Sequence, residues 1–254
     1  MADIATVRMG ACVQQHDSAD TLTLEGANDA SALATGPRVH AAGSGAILFD
    51  PSTGAFDAAI QQRLFALVHR MRMELGDDDA CELVPGVNNL LFIFNPLALH
   101  PAQAERWLRH LWETTEPLAS TGRDIEIPVI YGGAVGEDLT SLASGASLSV
   151  EEYVDRHSSA LYTVACIGSM PGFAYMTGLP PELAVPRRKV PRMKVTAGAV
   201  IVGGNQAGVM PCTAPSGWHV VGTTQLEMFN PHRERACLLS PGDRVQFLVK
   251  GIEL

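Results

Sequence analysis

The sequence predicts an α+β fold in which a small α/β domain is followed by a β-barrel domain. Strand-like and helix-like apolar periods alternate between about residues 46 and 130, whereas the later part has short apolar runs separated by glycine and proline. The 254 residues are 46% hydrophobic and 18% charged, which is sufficient for two modest cores. We predict an N-terminal extension over residues 1–37, the α/β domain over 38–124 and the barrel domain over 125–254.

The extension is rich in alanine, aspartate, threonine and glycine and has no sustained period. Its one strand-like alternation is Thr21–Leu24. We expect the extension to pack on the body of the protein or on a partner, and the sequence leaves both open.

The α/β domain is predicted from the order of its elements. A strand, a helix, two strands, a second helix and a last strand follow one another, which is the ferredoxin-like order. Pro101 marks the start of the second helix, as proline often does. In chain order, the predicted elements are Ala46–Phe49, a helix with a buried stripe from Ile60 to Leu75, Cys81–Val84, Asn89–Phe94, the helix from Pro101 and Ile125–Ile130.

The barrel domain is predicted from evenly spaced short strands. Ser149 and Glu152 form a capping box for a helix that runs toward His157. Glycine and proline turns then separate short apolar runs, as in closed or nearly closed barrels. The clearest of these runs are Tyr162–Ile167, Ala199–Val202, His219–Val221 and Val245–Val249.

The composition excludes several classes of partner and site. A formal net charge of −9 argues against nucleic acid or an anionic membrane as the main partner. No apolar run approaches the roughly 20 residues of a membrane span, and the first residues lack the layout of a secretion signal, so we expect a cytoplasmic location. The five cysteines include no Cys-x-x-Cys pair, and the eight histidines form no metal-binding motif, so no metal site is predicted.

One long stretch carries many turn residues in an order typical of a single family. The matching segments are Pro171–Phe173 with Tyr175, Gly178 and Leu179, then Pro186-Arg187, Pro191-Arg192, Val195–Val200, Gly204–Pro211, Pro215–Trp218 and Val220–Gln225, with His157 ahead of them. In this order they resemble the family that includes allophanate hydrolase subunit 1, the 5-oxoprolinase B subunit and an inhibitor of a sporulation kinase. The resemblance covers about residues 40–254.

This resemblance implies a cyclophilin-like barrel after the small α/β domain. It also implies a paralogous partner, similar to allophanate hydrolase subunit 2 or to the 5-oxoprolinase C subunit, with an active site shared between the two chains. In the 5-oxoprolinase branch a third, lactam-utilisation subunit joins and ATP drives the opening of a lactam. The sequence has no P-loop, so ATP is expected only through the complex, and biotin only on a partner of a carboxylase-like assembly.

Two positions depart from the family pattern. Thr223 replaces the usual arginine, and Asn88 falls where many relatives carry one. Each change removes a guanidinium fork suited to a carboxylate or a phosphate. The substrate is therefore expected to be different or less anionic if those arginines bind it in relatives.

The candidate substrate-binding residues are polar or aromatic groups within the matching segments. The glycines between Gly203 and Gly208 let backbone N–H groups approach an anion, or else simply form a turn. Arg187 and Arg192 are suited to an acid or phosphate, or else hold backbone carbonyls or a partner's carboxylate. The full set is Phe173, Tyr175, Arg187, Arg192, Gln206, Gly208 and Trp218, with core packing as the alternative for Phe173 and Trp218.

The catalytic residues cannot be read from the sequence. His219 is a candidate because it lies inside the matching segments, and His157 is a weaker one because a histidine at a helix end often only stabilises that end. Ser169 and Ser216 lack a nucleophile elbow, and Cys212 has no evident activating partner.

Three functions remain open at this point. The first is a subunit of a hetero-oligomeric, ATP-dependent amide or lactam hydrolase, inactive alone. The second is a regulatory inhibitor of a sensor histidine kinase. The third is the carboxyltransferase half of a biotin-dependent carboxylase.

Overall fold

The computed structural model of the protein describes residues 36–52, 54–76, 80–117 and 122–254. The chain divides into two compact units, Met1–Ala119 and Ser120–Leu254. The predicted strand Thr21–Leu24 and nearly all of the predicted extension lie outside the described residues. Within the described ranges, no helix is both long and apolar enough to cross a membrane.

The first unit is a four-stranded antiparallel sheet with two helices. Its elements are β1 (Arg38–Ala41), β2 (Ala46–Asp50), α1 (Ala58–Leu75), β3 (Glu82–Pro85), β4 (Leu90–Ile93) and α2 (Pro101–Glu113). The sheet order is β1-β2-β4-β3, so β4 pairs between the two strands that α1 connects. This is the split βαβ arrangement of ferredoxin-like sheets. Apolar side chains of both helices and the sheet, such as Phe49, Leu67 and Leu108, form one core.

The ferredoxin-like element order counts Ile125–Ile130 as the last strand of this sheet, and that assignment is wrong, although the predicted domain bounds begin the barrel domain at residue 125. Those residues belong to a barrel strand of the second unit, and β1 takes the fourth place in the sheet, beside β2. A short turn joins β1 to β2, so their pairing is local, whereas Ile127 and Val129 are completely buried in the barrel core. The sequence period identified a strand but could not identify its partner.

Asn88 braces the start of α1. It is buried and has a φ of 56°, in the left-handed region that asparagine tolerates. Its side-chain oxygen accepts from the N–H of Asp57 at 2.6 Å, and its amide nitrogen donates to the Asp57 carbonyl at 2.7 Å. Its own N–H donates to the side chain of Gln61 at 2.7 Å. Asp57 in turn caps α1, so Asn88 fixes the point at which the helix begins.

The second unit is built on a closed barrel of seven strands. They are β5 (Asp124–Gly132), β6 (Tyr162–Ile167), β7 (Ala174–Thr177), β9 (Ala199–Gly203), β10 (Gln206–Val209), β12 (His219–Thr223) and β13 (Arg244–Glu253). Their order is β10-β7-β6-β13-β5-β12-β9, and β9 pairs with β10 to close the ring. Two helices, α3 (Leu139–Gly145) and α4 (Val150–Ser159), follow β5, and α4 starts with the predicted capping box of Ser149 and Glu152. The predicted α+β class with a closed barrel is confirmed.

The barrel has apolar residues on both faces of some of its strands. Inward side chains of β9, such as Val200 and Val202, join the main core. Its outward Ile201 joins a second apolar cluster on the outside of the barrel. A separate two-stranded sheet lies at this outer cluster and consists of β8 (Arg192–Val195) and β11 (Ala214–Ser216). Val195 of β8 is buried in the outer cluster.

We expect Asn88→Ala to lower the free energy of unfolding by about 3 kcal/mol, since it removes the side-chain hydrogen bonds to Asp57 and Gln61 and places alanine, which tolerates positive φ less well than asparagine, at this position. Urea unfolding followed by circular dichroism measures the change. Asn88→Gly is the matched variant, because it loses the same bonds without the backbone strain and should cost less. Equal stability of Asn88→Ala and the unmodified protein would show that Asn88 does not stabilise the start of α1.

Candidate functional site

Three of the predicted substrate-binding residues form an aromatic cluster on the outside of the barrel. The ring centroids of Phe173 and Tyr175 are 4.9 Å apart, and Trp218 lies 5.8 Å from the first and 6.0 Å from the second. All three pairs are edge-to-face, the arrangement that aromatic rings prefer. Strand alternation explains the cluster, because Ala174 and Met176 of the same segment face the inner core. Phe173 and Trp218 are buried and Tyr175 is half-buried.

Arg187 joins this cluster. Its guanidinium carbon lies 5.4 Å from the centroid of the Trp218 ring, within the range of a cation–π contact. The side chain is otherwise exposed. The site therefore presents a positive charge beside a partly accessible aromatic surface, a combination that suits a planar anion.

The predicted glycine-rich loop is a tight β-hairpin. Gly203 pairs with Gln206 across a two-residue turn, and Gly204 in that turn has a φ of 63°. A Cβ on Gly203 would lie 2.8 Å from the Trp218 ring, and one on Gly208 would lie 3.1 Å from Phe173. These glycines thus give the aromatic rings room to pack. Gln206 is half-buried and, two residues before Gly208, lies on the same face of β10.

Arg192 is engaged by carboxylates of its own chain. It donates through both terminal nitrogens to Asp138, at 2.7 and 2.8 Å, and its Nε lies 2.6 Å from Oε1 of Glu137. Only 18% of its side chain is exposed. A substrate anion would have to displace these two carboxylates from Arg192 in order to bind it. Arg192 remains a predicted binding residue.

Asp138 is the centre of the polar part of the site. Besides Arg192, its carboxylate accepts from Arg188 at 3.2 Å and from the N–H of Val220 at 2.7 Å. Burial opposes its ionisation, but the hydrogen bonds from Arg192 and Val220 and the charges of Arg192 and His219 hold its pKa below the ordinary value. It is therefore ionised at neutral pH and ties residues from three distant segments together.

Three charged residues of this site, Asp138, Glu137 and Arg188, were not among those predicted from the sequence. Asp138 precedes α3, where an aspartate ordinarily caps the helix, but its side chain makes no cap hydrogen bond. The available signal was charge: residues 186–194 hold five cations and no acid in a chain of net charge −9. The cations of such a segment are expected to pair with carboxylates from other parts of the fold.

His219 is held in an orientation that restricts acid–base chemistry. Its Nε2 lies 3.1 Å from the carbonyl oxygen of Pro186, and its Nδ1 lies 4.0 Å from Oδ2 of Asp138. Because a carbonyl only accepts, Nε2 carries the proton. In this arrangement Nε2 cannot act as a general base, and Nδ1, the other ring nitrogen, faces the carboxylate of Asp138.

His157 is a core residue of the barrel unit. It is fully buried, its Nδ1 contacts the hydroxyl of Tyr131 at 2.9 Å, and its ring packs 4.8 Å from that of Phe247. The hydroxyl of Tyr162 donates to its carbonyl oxygen. Burial lowers its pKa to about 3. A substrate could reach this ring only if the core opened.

A small cleft adjoins the outer apolar cluster at Val195 and Val220. It has a volume of about 120 Å³ and lies between the turn at Val135 and Glu137 and the strand β8, with Arg192 and Lys194 in its wall. Thr223 is half-buried and donates to the Gly198 carbonyl at 3.4 Å. Within the described ranges, no group of three histidine, cysteine, aspartate or glutamate residues is arranged to hold a metal ion.

Comparison with known proteins identifies the family. Residues 37–239 match the family described as carboxyltransferase domain, subdomain C and D. The chain belongs to this family. Among curated relatives, the 5-oxoprolinase B subunit of Escherichia coli O157:H7 is 43% identical over 191 residues, which are 75% of this chain and 86% of that protein. The resemblance found in the sequence is thereby confirmed.

Solved structures share the fold. The crystal structure of TTHA0988 matches with a TM-score of 0.70 and 33% identity over 80% of this chain, which spans only 39% of the TTHA0988 chain. The K. lactis urea amidolyase matches with a TM-score of 0.67 over 84% of this chain and 15% of its own. At 17% identity, this second likeness shows the fold alone.

We expect Asp138→Asn to lower the free energy of unfolding by about 3 kcal/mol, because it leaves the partly buried Arg188 without an opposing charge and leaves Arg192 with Glu137 alone. The unmodified protein should also lose this contribution as the pH falls below the ordinary carboxyl pKa toward the lower folded value. Thermal and urea unfolding test both. Asp124→Asn, which removes only an exposed pair with Arg244, is the control and should change stability little. Similar effects of the two substitutions would contradict the account of Asp138.

We expect His157 to stay neutral down to about pH 4 in the folded protein, which NMR of its ring nitrogens measures directly. Its folded pKa is lowered, so the unfolded chain binds the extra proton first and stability falls as the pH drops below about 6.5. Between pH 7 and 5 this costs about 2 kcal/mol, a loss that should be absent in His157→Gln. Titration of His157 near pH 6.5 would contradict its buried placement.

Proposed function

We propose that the chain is the B subunit of a heteromeric 5-oxoprolinase-type enzyme, an ATP-dependent lactam hydrolase. The observation that carries this proposal is the 43% identity to a 5-oxoprolinase B subunit over 86% of that protein's length. The cluster of Arg187 with Phe173, Tyr175 and Trp218 supports it from the geometry.

The chemistry of the substrate fits this cluster. A 5-oxoproline molecule is a small flat lactam ring with one carboxylate. The carboxylate can bind the guanidinium of Arg187, and the ring can lie against Tyr175. Gln206 lies on the same face of β10 as Gly208, and its side-chain amide can orient the lactam amide.

The site is incomplete for catalysis in this chain. In the described part, the one histidine beside the cluster, His219, has its Nε2 bound to the Pro186 carbonyl. The sequence also has no P-loop for ATP. We therefore assign the catalytic base and the ATP site to other chains of the complex. A paralogous partner of the 5-oxoprolinase C type completes the active site, and a third, lactam-utilisation subunit joins them.

Reconstitution tests this proposal. The chain is co-expressed with its paralogous partner, purified by size exclusion and assayed with the third subunit for 5-oxoproline-dependent ATP hydrolysis. Activity should appear only in the complete mixture. Turnover by the chain alone, or a stable binary complex that is active only with a biotin carrier protein, would overturn it.

In the active mixture, we expect Arg187→Ala to lower kcat/KM for 5-oxoproline about 100-fold, since a charge-assisted hydrogen bond to the substrate carboxylate is worth about 3 kcal/mol. Trp218→Phe, which keeps an aromatic ring, should have a smaller effect. Arg233→Ala, which breaks an exposed pair with Glu227 outside the site, is the control. Unchanged kinetics of Arg187→Ala in an otherwise active complex would show that the substrate binds elsewhere.

A further inference from the structure

The segment Pro186–Val195, which we call the strap, has two unlike sides. Its inner side is fixed to the barrel unit: Arg188 and Arg192 bind Asp138, and the N–H of Arg188 donates to the Gly217 carbonyl at 2.7 Å. Val195 is buried in the outer cluster. The strap is thus a preorganised surface, and binding to it would order little additional chain.

The outer side of the strap is apolar and basic. Val190 and Met193 are 75% and 80% exposed, which is high for apolar side chains of this size. Lys189 and Lys194 flank them and are exposed. Among the described residues, neither lysine forms a salt bridge, whereas Arg188 and Arg192 are both paired with acids.

The strap also carries an open strand edge. Within the described part of the chain, β8 pairs on one side with β11 and has no strand on the other. The β8–β11 pairing has a register shift between Ala214 and Ser216, and the other edge of β8 offers backbone N–H and C=O groups to a further strand. An edge flanked by exposed lysines resists pairing with other edges of neutral or basic character. It remains able to accept a strand that carries acids.

We propose that the strap is a docking site for an extended acidic segment of a partner protein, which adds to the free edge of β8. The incoming backbone would pair with β8, its carboxylates would bind Lys189 and Lys194, and its apolar side chains would cover Val190 and Met193. The inference goes beyond the proposed lactam hydrolysis and does not depend on it.

An acidic segment fits better than the other partners of a basic patch. Two free lysines on a chain of net charge −9 are a weak attractant for a nucleic acid or an anionic bilayer, which respond to the summed charge. Neither of those partners has backbone groups that pair with a strand edge. A second copy of this chain that docked through the same surface would bring its own exposed Lys189 and Lys194 against these lysines, which like charge opposes.

The test uses the whole chain and a fluorescein-labelled peptide of alternating glutamate and valine, seven residues long. We expect the peptide to bind, and raising NaCl from 50 to 300 mM to weaken binding several-fold. The variant Lys189→Glu with Lys194→Glu should bind at least tenfold more weakly, and Met193→Asp should also bind more weakly. Lys250→Glu, an exposed charge reversal on β13, is the matched control and should bind like the unmodified protein.

Hydrogen exchange gives the second readout, since strand addition should protect amides of Arg192–Val195 when the peptide is bound. A peptide with lysine in place of glutamate should neither bind nor protect. The inference is overturned if the acidic peptide does not bind, if both lysine reversals leave its affinity unchanged, or if protection appears away from β8. Strap-dependent binding to phosphatidylserine vesicles or self-association through the strap, in place of peptide binding, would overturn it equally.

Discussion

The outer side of the barrel unit depends on the ion pairs and hydrogen bonds that the Asp138 carboxylate accepts. This carboxylate receives hydrogen bonds from Arg188, Arg192 and the backbone of Val220, so a single buried charge joins the start of α3, the strap and β12. Removing one partner of such a buried pair typically costs about 3–5 kcal/mol, because the remaining charge is left without compensation. Here Arg188 would be left in that condition, whereas Arg192 would keep its ion pair with Glu137.

The position of the strap determines what the candidate site can do. Arg187 lies next to Arg188 in the chain, so fixing Arg188 on Asp138 also places the guanidinium of Arg187 over Trp218. The aromatic rings are in turn seated by Gly203 and Gly208, which leave room that any Cβ would fill. The result is an exposed cation, Arg187, beside the half-buried ring of Tyr175, which packs on the buried Phe173 and Trp218, while Nε2 of His219 contacts the strap backbone. This arrangement is suited to holding a small anion.

Local patterns in the sequence predicted much of the fold but not its long-range contacts. The capping box of α4 and the closed barrel could be read because they depend on neighbouring residues and on turn chemistry. The strand Ile125–Ile130 was recognised, but its sheet was not, since a period of two carries no information about the partner strand. Strand β1 escaped detection because its polar–apolar alternation covers only four residues, three of which are exposed. The bonds of Asp138 span 50 or more residues, and only the acid-free run of cations hinted at them.

Hydrogen exchange of Asp138→Asn tests the central claim most directly, namely that this carboxylate holds the strap and thereby the site. The amide of Arg188, which donates to Gly217, is the key probe, and the amides of β6 in the same unit are the internal reference. We predict that the amides of the strap exchange at least tenfold faster in Asp138→Asn while those of β6 keep their slow exchange, and that Asp124→Asn changes neither. Strap exchange that is unchanged in Asp138→Asn would contradict the account.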